Sequence, residues 1–298
     1  MQQKIAEHTF SKLLLYKDLT LRIGDISISI EGAREKIALE VTPSYRSFIR
    51  PGKADIRLHL HRGLPETPRG EKVFECPPIW TLYRQQDTSM IEIFHDLSDL
   101  KRTLVFSSNL EKTDLYLSED SALPLDPLYG PTMELLMVNY LAKGKGAIIH
   151  SCGISRNGRG TLFVGDSGAG KSTLARMWDR EDSVEVLSDD RTILRKKGNE
   201  FWMYGTPWHG EAAFASPQGI RLDRVFFLKH GRENSIREVN EIAAVSQLLA
   251  CSFSPLWDRE GMAFVLDFIT ELIDQVPVQE LSFTPEKGVL EFVNRIAK

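Results

Sequence analysis

Residues 161–173 read Thr161-Leu162-Phe163-Val164-Gly165-Asp166-Ser167-Gly168-Ala169-Gly170-Lys171-Ser172-Thr173, and the reading of this stretch governs the rest of the chain. Leu162, Phe163 and Val164 form a short apolar run of the kind a buried strand shows. The pattern G-x-x-x-x-G-K-S follows, and Leu174, Ala175, Met177 and Trp178 then suit a helix. That strand–loop–helix context separates a phosphate-binding loop from a chance Gly-rich turn, which is the plain alternative. Glycines let successive backbone N–H groups converge on phosphate oxygens, and a helix N-terminus adds partial positive charge. Lys171 is placed to reach the terminal phosphates and the Ser172 hydroxyl to ligate Mg²⁺. The expectation is a nucleotide site over 165–173.

Just upstream, 147–154 and 160–164 read as strands around Ser155-Arg156-Asn157-Gly158-Arg159. Asn-Gly in a short connection between two apolar runs is a strong hairpin signal. The strand entering the loop is therefore expected to pair antiparallel with the strand before it. A Ras-like or ABC-like fold would place a crossover helix there instead. Before this hairpin, 132–142 carries Leu135, Val138, Leu141 and Ala142 at helical spacing, stopped by Gly144 and Gly146.

Downstream, Val184-Glu185-Val186-Leu187-Ser188-Asp189-Asp190-Arg191 reads as a strand ending in paired carboxylates. An acidic strand end after a phosphate loop is a usual place for a Mg²⁺-associated carboxylate. Adjacent side chains on a strand face opposite ways, so the pair is expected to divide labour. One would hold the Mg²⁺ water shell, and the other would accept a proton from a hydroxyl nucleophile. A hairpin is expected around Gly198-Asn199. A loop over 205–211 precedes a strand at 225–229 and helices around residues 242–249 and 264–273. The chain ends on a strand at 279–283 and a helix opened by Pro285.

The first 125 residues differ in texture. Short runs at 21–30, 55–60, 79–84, 90–94, 103–106 and 114–117, punctuated by Gly, Pro and polar clusters, suggest an antiparallel strand-rich unit. His59 and His61 fall on one face of a strand. A solvated polar face is favoured over a metal pair because no third ligand is evident. Pro124, Pro127 and Pro131 mark a junction, giving expected domains at 1–125 and 126–298.

Charged residues make up 26% of the 298 and the formal net charge is -4, so there is no electrostatic case for a nucleic-acid partner. No apolar run approaches the ~20 residues that span a bilayer. Met1-Gln2-Gln3-Lys4-Ile5-Ala6-Glu7-His8 lacks the apolar core of a signal peptide. Cys76, Cys152 and Cys251 are odd in number, widely spaced and without zinc spacing, as reduced thiols are. A cytoplasmic enzyme with no membrane partner is expected.

The order His150, hairpin, G-D-S-G-x-G-K-S, then Ser188-Asp189-Asp190-Arg191 resembles the catalytic domain of the HPr kinase/phosphorylase family, related in fold to phosphoenolpyruvate carboxykinases. The resemblance covers roughly residues 126–298. It implies an α/β fold, a kinase core of mixed sheet and helices, and the chain's own short runs place a strand-rich α+β N-terminal domain before it. It also implies ATP on the loop, Mg²⁺ on Ser172 and Asp189, Asp190 as general base toward a serine hydroxyl, and a catalytic part for His150 and Lys171. Glu211, in Thr206-Pro207-Trp208-His209-Gly210-Glu211, matches a downstream glutamate serving the metal. The family analogy favours assemblies larger than a monomer.

Three departures separate this chain from HPr kinase itself. Thr173 stands where the family has Glu, the Gly-rich second signature for phosphorolysis is absent, and the N-terminal part is unlike theirs. The resemblance therefore implies a related serine kinase acting on a small protein or peptide. A nucleotide-dependent switch or ATPase and a small-molecule hydroxyl kinase are the alternatives. Arg191 could balance the carboxylates or clamp phosphate. His209 and Trp208 could frame the acceptor, and Trp208 is equally a packing residue.

Overall fold

The computed structural model describes residues 15–32, 37, 39–94, 100–118, 130–286 and 288–296. The N-terminal octapeptide, Pro124 and Pro127 lie outside the described residues. Two compact units interleave along the chain: residues 1–19, 29–42 and 57–130 form one, and 20–28, 43–56 and 131–298 form the other.

Up to residue 117 the elements are β1 (Leu15–Tyr16), β2 (Asp18–Ile23), β3 (Ile26–Glu31), β4 (Leu39–Glu40), a 3-10 turn (Pro43–Phe48), β5 (Ile56–Arg62), β6 (Glu71–Cys76), β7 (Trp80–Gln85), β8 (Thr88–Phe94), β9 (Leu100–Ser107) and β10 (Thr113–Leu117). Eight of them form one sheet in the order β2-β3-β5-β10-β9-β8-β7-β6. The expected run at 21–30 is two strands, because Gly24 and Asp25 both take positive φ (59° and 61°) and reverse the chain. β10 is antiparallel to β9 but parallel to β5, so the sheet is mixed where the runs suggested antiparallel pairing. A parallel pair needs a long crossover, and the β6–β9 meander supplies it. His59 Nδ1 lies 3.3 Å from Glu31, and His61 Nε2 lies 2.8 Å from Asp114 with its ring stacked on Tyr116. The two imidazoles pair with separate carboxylates, as on a polar sheet face.

The remaining elements are α1 (Thr132–Leu141), β11 (Ala147–Arg156), β12 (Arg159–Val164), α2 (Lys171–Trp178), β13 (Val184–Ser188), β14 (Arg191–Lys197), β15 (Glu200–Tyr204), β16 (Gly219–His230), β17 (Ser235–Glu238), α3 (Glu241–Ala250), α4 (Arg259–Gln275), β18 (Val278–Phe283) and α5 (Gly288–Ile296). β11 and β12 form the expected hairpin, with Asn157 and Gly158 at φ 51° and 76°. On its other edge β12 runs parallel to β16. Two long strands change partners midway. β11 pairs with β14 from Ala147 to His150 and with β12 from Ser151 onward. β16 pairs with β15 through Gly219–Arg221 and with β12 and β18 beyond. The path β12-β11-β14-β15-β16 consequently closes on itself through the β12–β16 pairing.

Period-2 alternation sorts the core onto two faces. Leu162, Val164, Val225 and Phe227 pack with Leu248 of α3 and Val265, Phe268 and Leu272 of α4. Phe163, Phe226 and Leu228 pack with Leu174 and Trp178 of α2 and Val289 and Val293 of α5. Each such side chain contributes about 1.5–3 kcal/mol when fully buried. Residues 20–28 and 43–56 belong to this unit: Trp208 Nε1 donates to the Tyr45 hydroxyl at 2.7 Å, and Lys197 pairs with Asp25. Together the elements make a mixed α/β fold with two mixed sheets and few helices. Among the described residues no helix is long and apolar enough to cross a membrane.

Candidate functional site

The partner switch in β11 assembles the site. His150 is the last residue paired with β14, opposite Arg191, and Ser151 is the first paired with β12, opposite Val164. One step further along that second register stands Gly165, where the Gly-rich loop begins. Backbone pairing alone therefore brings His150, the start of the loop and the Asp189–Arg191 bend to one place.

In the loop, Gly168 and Gly170 take φ 83° and 95°, a left-handed conformation that a side chain disfavours, and Gly170 caps α2. Asp166 and Ser167 are exposed at its tip, and Thr173 is exposed on the first turn of α2. Ala169 N–H donates to the Asp166 carbonyl at 3.1 Å. Lys171 is buried, and its Nζ donates to the carbonyls of Gly165 (2.7 Å) and Asp166 (3.0 Å). Burial pulls the Lys171 ammonium below its usual pKa, against the charge of Asp190.

The strand over 184–188 stops at Ser188, and the two aspartates occupy the bend that follows. The Ser188 hydroxyl accepts the N–H groups of Asp190 (3.3 Å) and Arg191 (3.1 Å), which fixes the bend. Asp189 is 1% exposed. It accepts the Ser172 hydroxyl (3.0 Å) and the N–H groups of Gly210 (3.0 Å), Ala212 (2.9 Å) and Phe214 (3.3 Å). A Cβ on Gly210 would lie 2.7 Å from Asp189 Oδ2, so this close wrap requires glycine there.

Asp190 faces the other way. Its Oδ1 lies 3.1 Å from His150 Nε2, and its Oδ2 accepts Arg191 Nη1 at 2.5 Å. Burial acts to raise its pKa. The His150 hydrogen bond and the charges of Arg191, His150 and Lys171 outweigh that and hold the carboxyl below the usual range. Arg191 and His150 both contact the Phe253 ring, the first at 5.0 Å and the second edge-on at 6.4 Å.

Of the residues expected from sequence, His150, Lys171, Ser172, Asp189 and Asp190 converge. Glu211 is exposed, between Gly210 and Ala212, two of the three residues whose amides hold Asp189. His209 is exposed and bonds its neighbour's carbonyl, while Trp208 is a buried packing residue bonded to Tyr45. Among the described residues no group of three or more His, Cys, Asp and Glu side chains forms a metal cage. Cys152 and Cys251 are buried free thiols whose pKa burial pushes up.

Sequence reasoning missed Glu134 and His230. Glu134, in the first turn of α1, sits with its Oε2 3.2 Å from Arg191 Nε, and burial raises its pKa with help from the charge of Asp190 and against that of Arg191. Its one available signal was that it is the single charged residue of α1. His230 Nε2 lies 2.9 Å from the Gly168 carbonyl, which only a register placing β16 beside β12 could reveal.

No protein-family model matches the chain, and no curated protein matches it. Among solved structures, the Hpr(Ser) kinase/phosphatase from Coxiella burnetii is similar at 13% identity and a TM-score of 0.27, over 50% of this chain and 93% of that one. A likeness at that TM-score decides neither fold nor function, and the weight rests on the residues themselves.

Proposed function

We propose that the chain is a Mg²⁺·ATP-dependent serine kinase, transferring the γ-phosphoryl group of ATP to a serine hydroxyl of a small protein or peptide. The observation that carries this reading is the opposed orientation of two adjacent aspartates. Asp189 takes the hydroxyl of Ser172 at 3.0 Å, and Asp190 takes His150 at 3.1 Å.

Asp189 already accepts four donors, close to the capacity of a carboxylate. It suits holding the Ser172 proton while the Ser172 oxygen keeps lone pairs for a hard cation. An all-oxygen set with few protein ligands fits Mg²⁺, which retains waters and is completed by phosphates. When bound, Mg²⁺ neutralises charge on the β- and γ-phosphates. Glu211, on the loop that wraps Asp189, is the further carboxylate proposed for its water shell.

Lys171 exchanges its two loop carbonyls for terminal phosphate oxygens, and the loop amides from Gly165 to Thr173 line the phosphates. The serine oxygen bonds to the γ-phosphorus, the bond to the ADP oxygen breaks, and Asp190 takes the serine proton. In a loose transition state with little bonding to the nucleophile the serine proton leaves late, so a carboxylate suffices to take it. His150 and Arg191 hold Asp190 in place. The strand-rich part upstream of residue 126, apart from residues 20–28 and 43–56, which belong with the site's own unit, is proposed to dock the acceptor, with the protein acting in the cytoplasm.

The test is incubation of the full chain with Mg·ATP and serine-containing peptides encoded beside its gene, read by mass spectrometry. A phosphoserine product supports the kinase. ATP hydrolysis with no transfer to any peptide, protein or small hydroxyl compound would replace it with an ATPase or switch.

A further inference from the structure

We propose that His230 is a positioning residue of the nucleotide site, holding the carbonyl of Gly168 so that the peptide at the loop's apex keeps its N–H on the phosphate side. The inference rests on the reading of residues 165–173 as a nucleotide site.

His230 ends β16, which runs parallel beside β12 with Phe227 opposite Val164. β12 ends at that point and enters the Gly-rich loop, while β16 continues beside β18 for three more residues, to His230. Its Nε2 lies 2.9 Å from the Gly168 oxygen. A carbonyl only accepts, so Nε2 carries the proton, in either the neutral ring or the imidazolium.

The ring is itself held. It stacks on Phe283 at 6.3 Å and 27°, the two residues are register partners between β16 and β18, and Gly231 N–H donates to the Phe283 carbonyl at 3.1 Å. Phe283 also lies under the loop, where a Cβ on Gly170 would stand 2.8 Å from its ring. One prop therefore meets the loop at two points, by a hydrogen bond at Gly168 and by ring contact at Gly170.

The peptide joining Gly168 to Ala169 is gripped at both ends. His230 holds its carbonyl, and its N–H donates to the Asp166 carbonyl, which also accepts Lys171 Nζ. In a trans peptide the C=O and N–H point opposite ways. When Lys171 turns to a phosphate the inner contacts rearrange. The outward hold by His230 is then what keeps the Ala169 N–H directed inward.

Calorimetric titration of Mg·ATP into the full chain tests this with three variants. His230→Phe keeps the stack and removes the donor, and His230→Gln restores a terminal N–H. The inference expects His230→Phe to weaken binding about 3–10-fold, the range of one net hydrogen bond. It expects His230→Gln to return within about 2-fold of the parent on the same scale, with thermal unfolding of the nucleotide-free protein unchanged in both. Lys171→Ala separates the two readings. If Lys171→Ala loses binding while His230→Phe binds like the parent, the role of His230 is wrong. Equal loss in the Phe and Gln variants accompanied by early unfolding would show a structural residue and also overturn it. If Lys171→Ala binds normally, the nucleotide site fails and the inference falls with it.

Discussion

Arg191 Nε stands 3.2 Å from Glu134 Oε2, so a residue next to the paired aspartates is tied to a helix almost sixty positions earlier in the chain. The approach is an ion pair without hydrogen-bond alignment, since Nε has no bonded partner. The same guanidinium donates to Asp190 at 2.5 Å and lies over Phe253. Glu134 thus shares Arg191 with Asp190 and keeps it from turning fully onto the proposed base. Glu134→Ala leaves Arg191 with one carboxylate and more freedom. Turnover should fall about 10-fold, the scale of a partly buried charge contact. Mg·ATP affinity should stay within about 2-fold, because the partner of Glu134 is Arg191, beside the proposed base. Kinetics beside calorimetry checks the split, and a parallel loss of affinity would place Glu134 in nucleotide binding.

Lys171→Ala removes a charge-assisted donor to the terminal phosphates. A contact of that kind is worth about 1.5–3 kcal/mol, or roughly 10–150-fold in affinity. Unchanged ATP binding by calorimetry would remove the loop from the site.

The two aspartates should separate in their effects. Asp190→Asn is expected to keep ATP affinity and lower turnover about 10²-fold or more. Asp189→Asn should raise the Mg²⁺ requirement. It should also lower stability by about 1–3 kcal/mol, because an amide cannot accept all four donors that the carboxylate holds. Turnover assays over a Mg²⁺ series and urea unfolding measure both. Normal behaviour of the two variants would make the bend purely structural.

Stability should depend on pH through Asp25 and Lys197. Burial acts to raise the Asp25 pKa, and its contacts with Lys197 and Arg22 outweigh this and hold it below the ordinary 3.8. A carboxylate depressed in the fold contributes stability above its unfolded pKa and loses it as pH falls through the folded value. Burial acts to lower Lys197, and Asp25 and Tyr204 reverse this and raise it above the ordinary 10.5. Its share is complete below the unfolded value and is lost as pH rises through the folded one. Asp25→Asn should therefore be less stable than the parent near neutral pH and converge with it well below pH 3.8. Urea unfolding across that range checks this. A gap that persisted at the acid end would show that the contact is not carried by charge.

What the sequence determined by itself was local. An apolar triplet, glycines at left-handed positions and Lys-Ser after the last of them define strand, loop and helix, because steric freedom and hydrophobic period act over a few residues. Asn157-Gly158 specified a hairpin for the same reason, and the apolar spacing of α3 and α4 is written in their own residues. Long-range closure was decided only in the tertiary structure. The parallel pairing of β5 with β10, the change of partner at His150, and the closing of β12 on β16 depend on which distant strands win each edge, and no local pattern encodes that choice. The candidate site divides along the same line. Lys171, Ser172, Asp189 and Asp190 were legible as residue types at telling spacings, and His150 through the family resemblance. The amides of Gly210, Ala212 and Phe214 on Asp189, the grip of Glu134 on Arg191 and the contact of His230 with Gly168 were not. Each joins segments 21 to 62 residues apart that meet only once the sheet has formed.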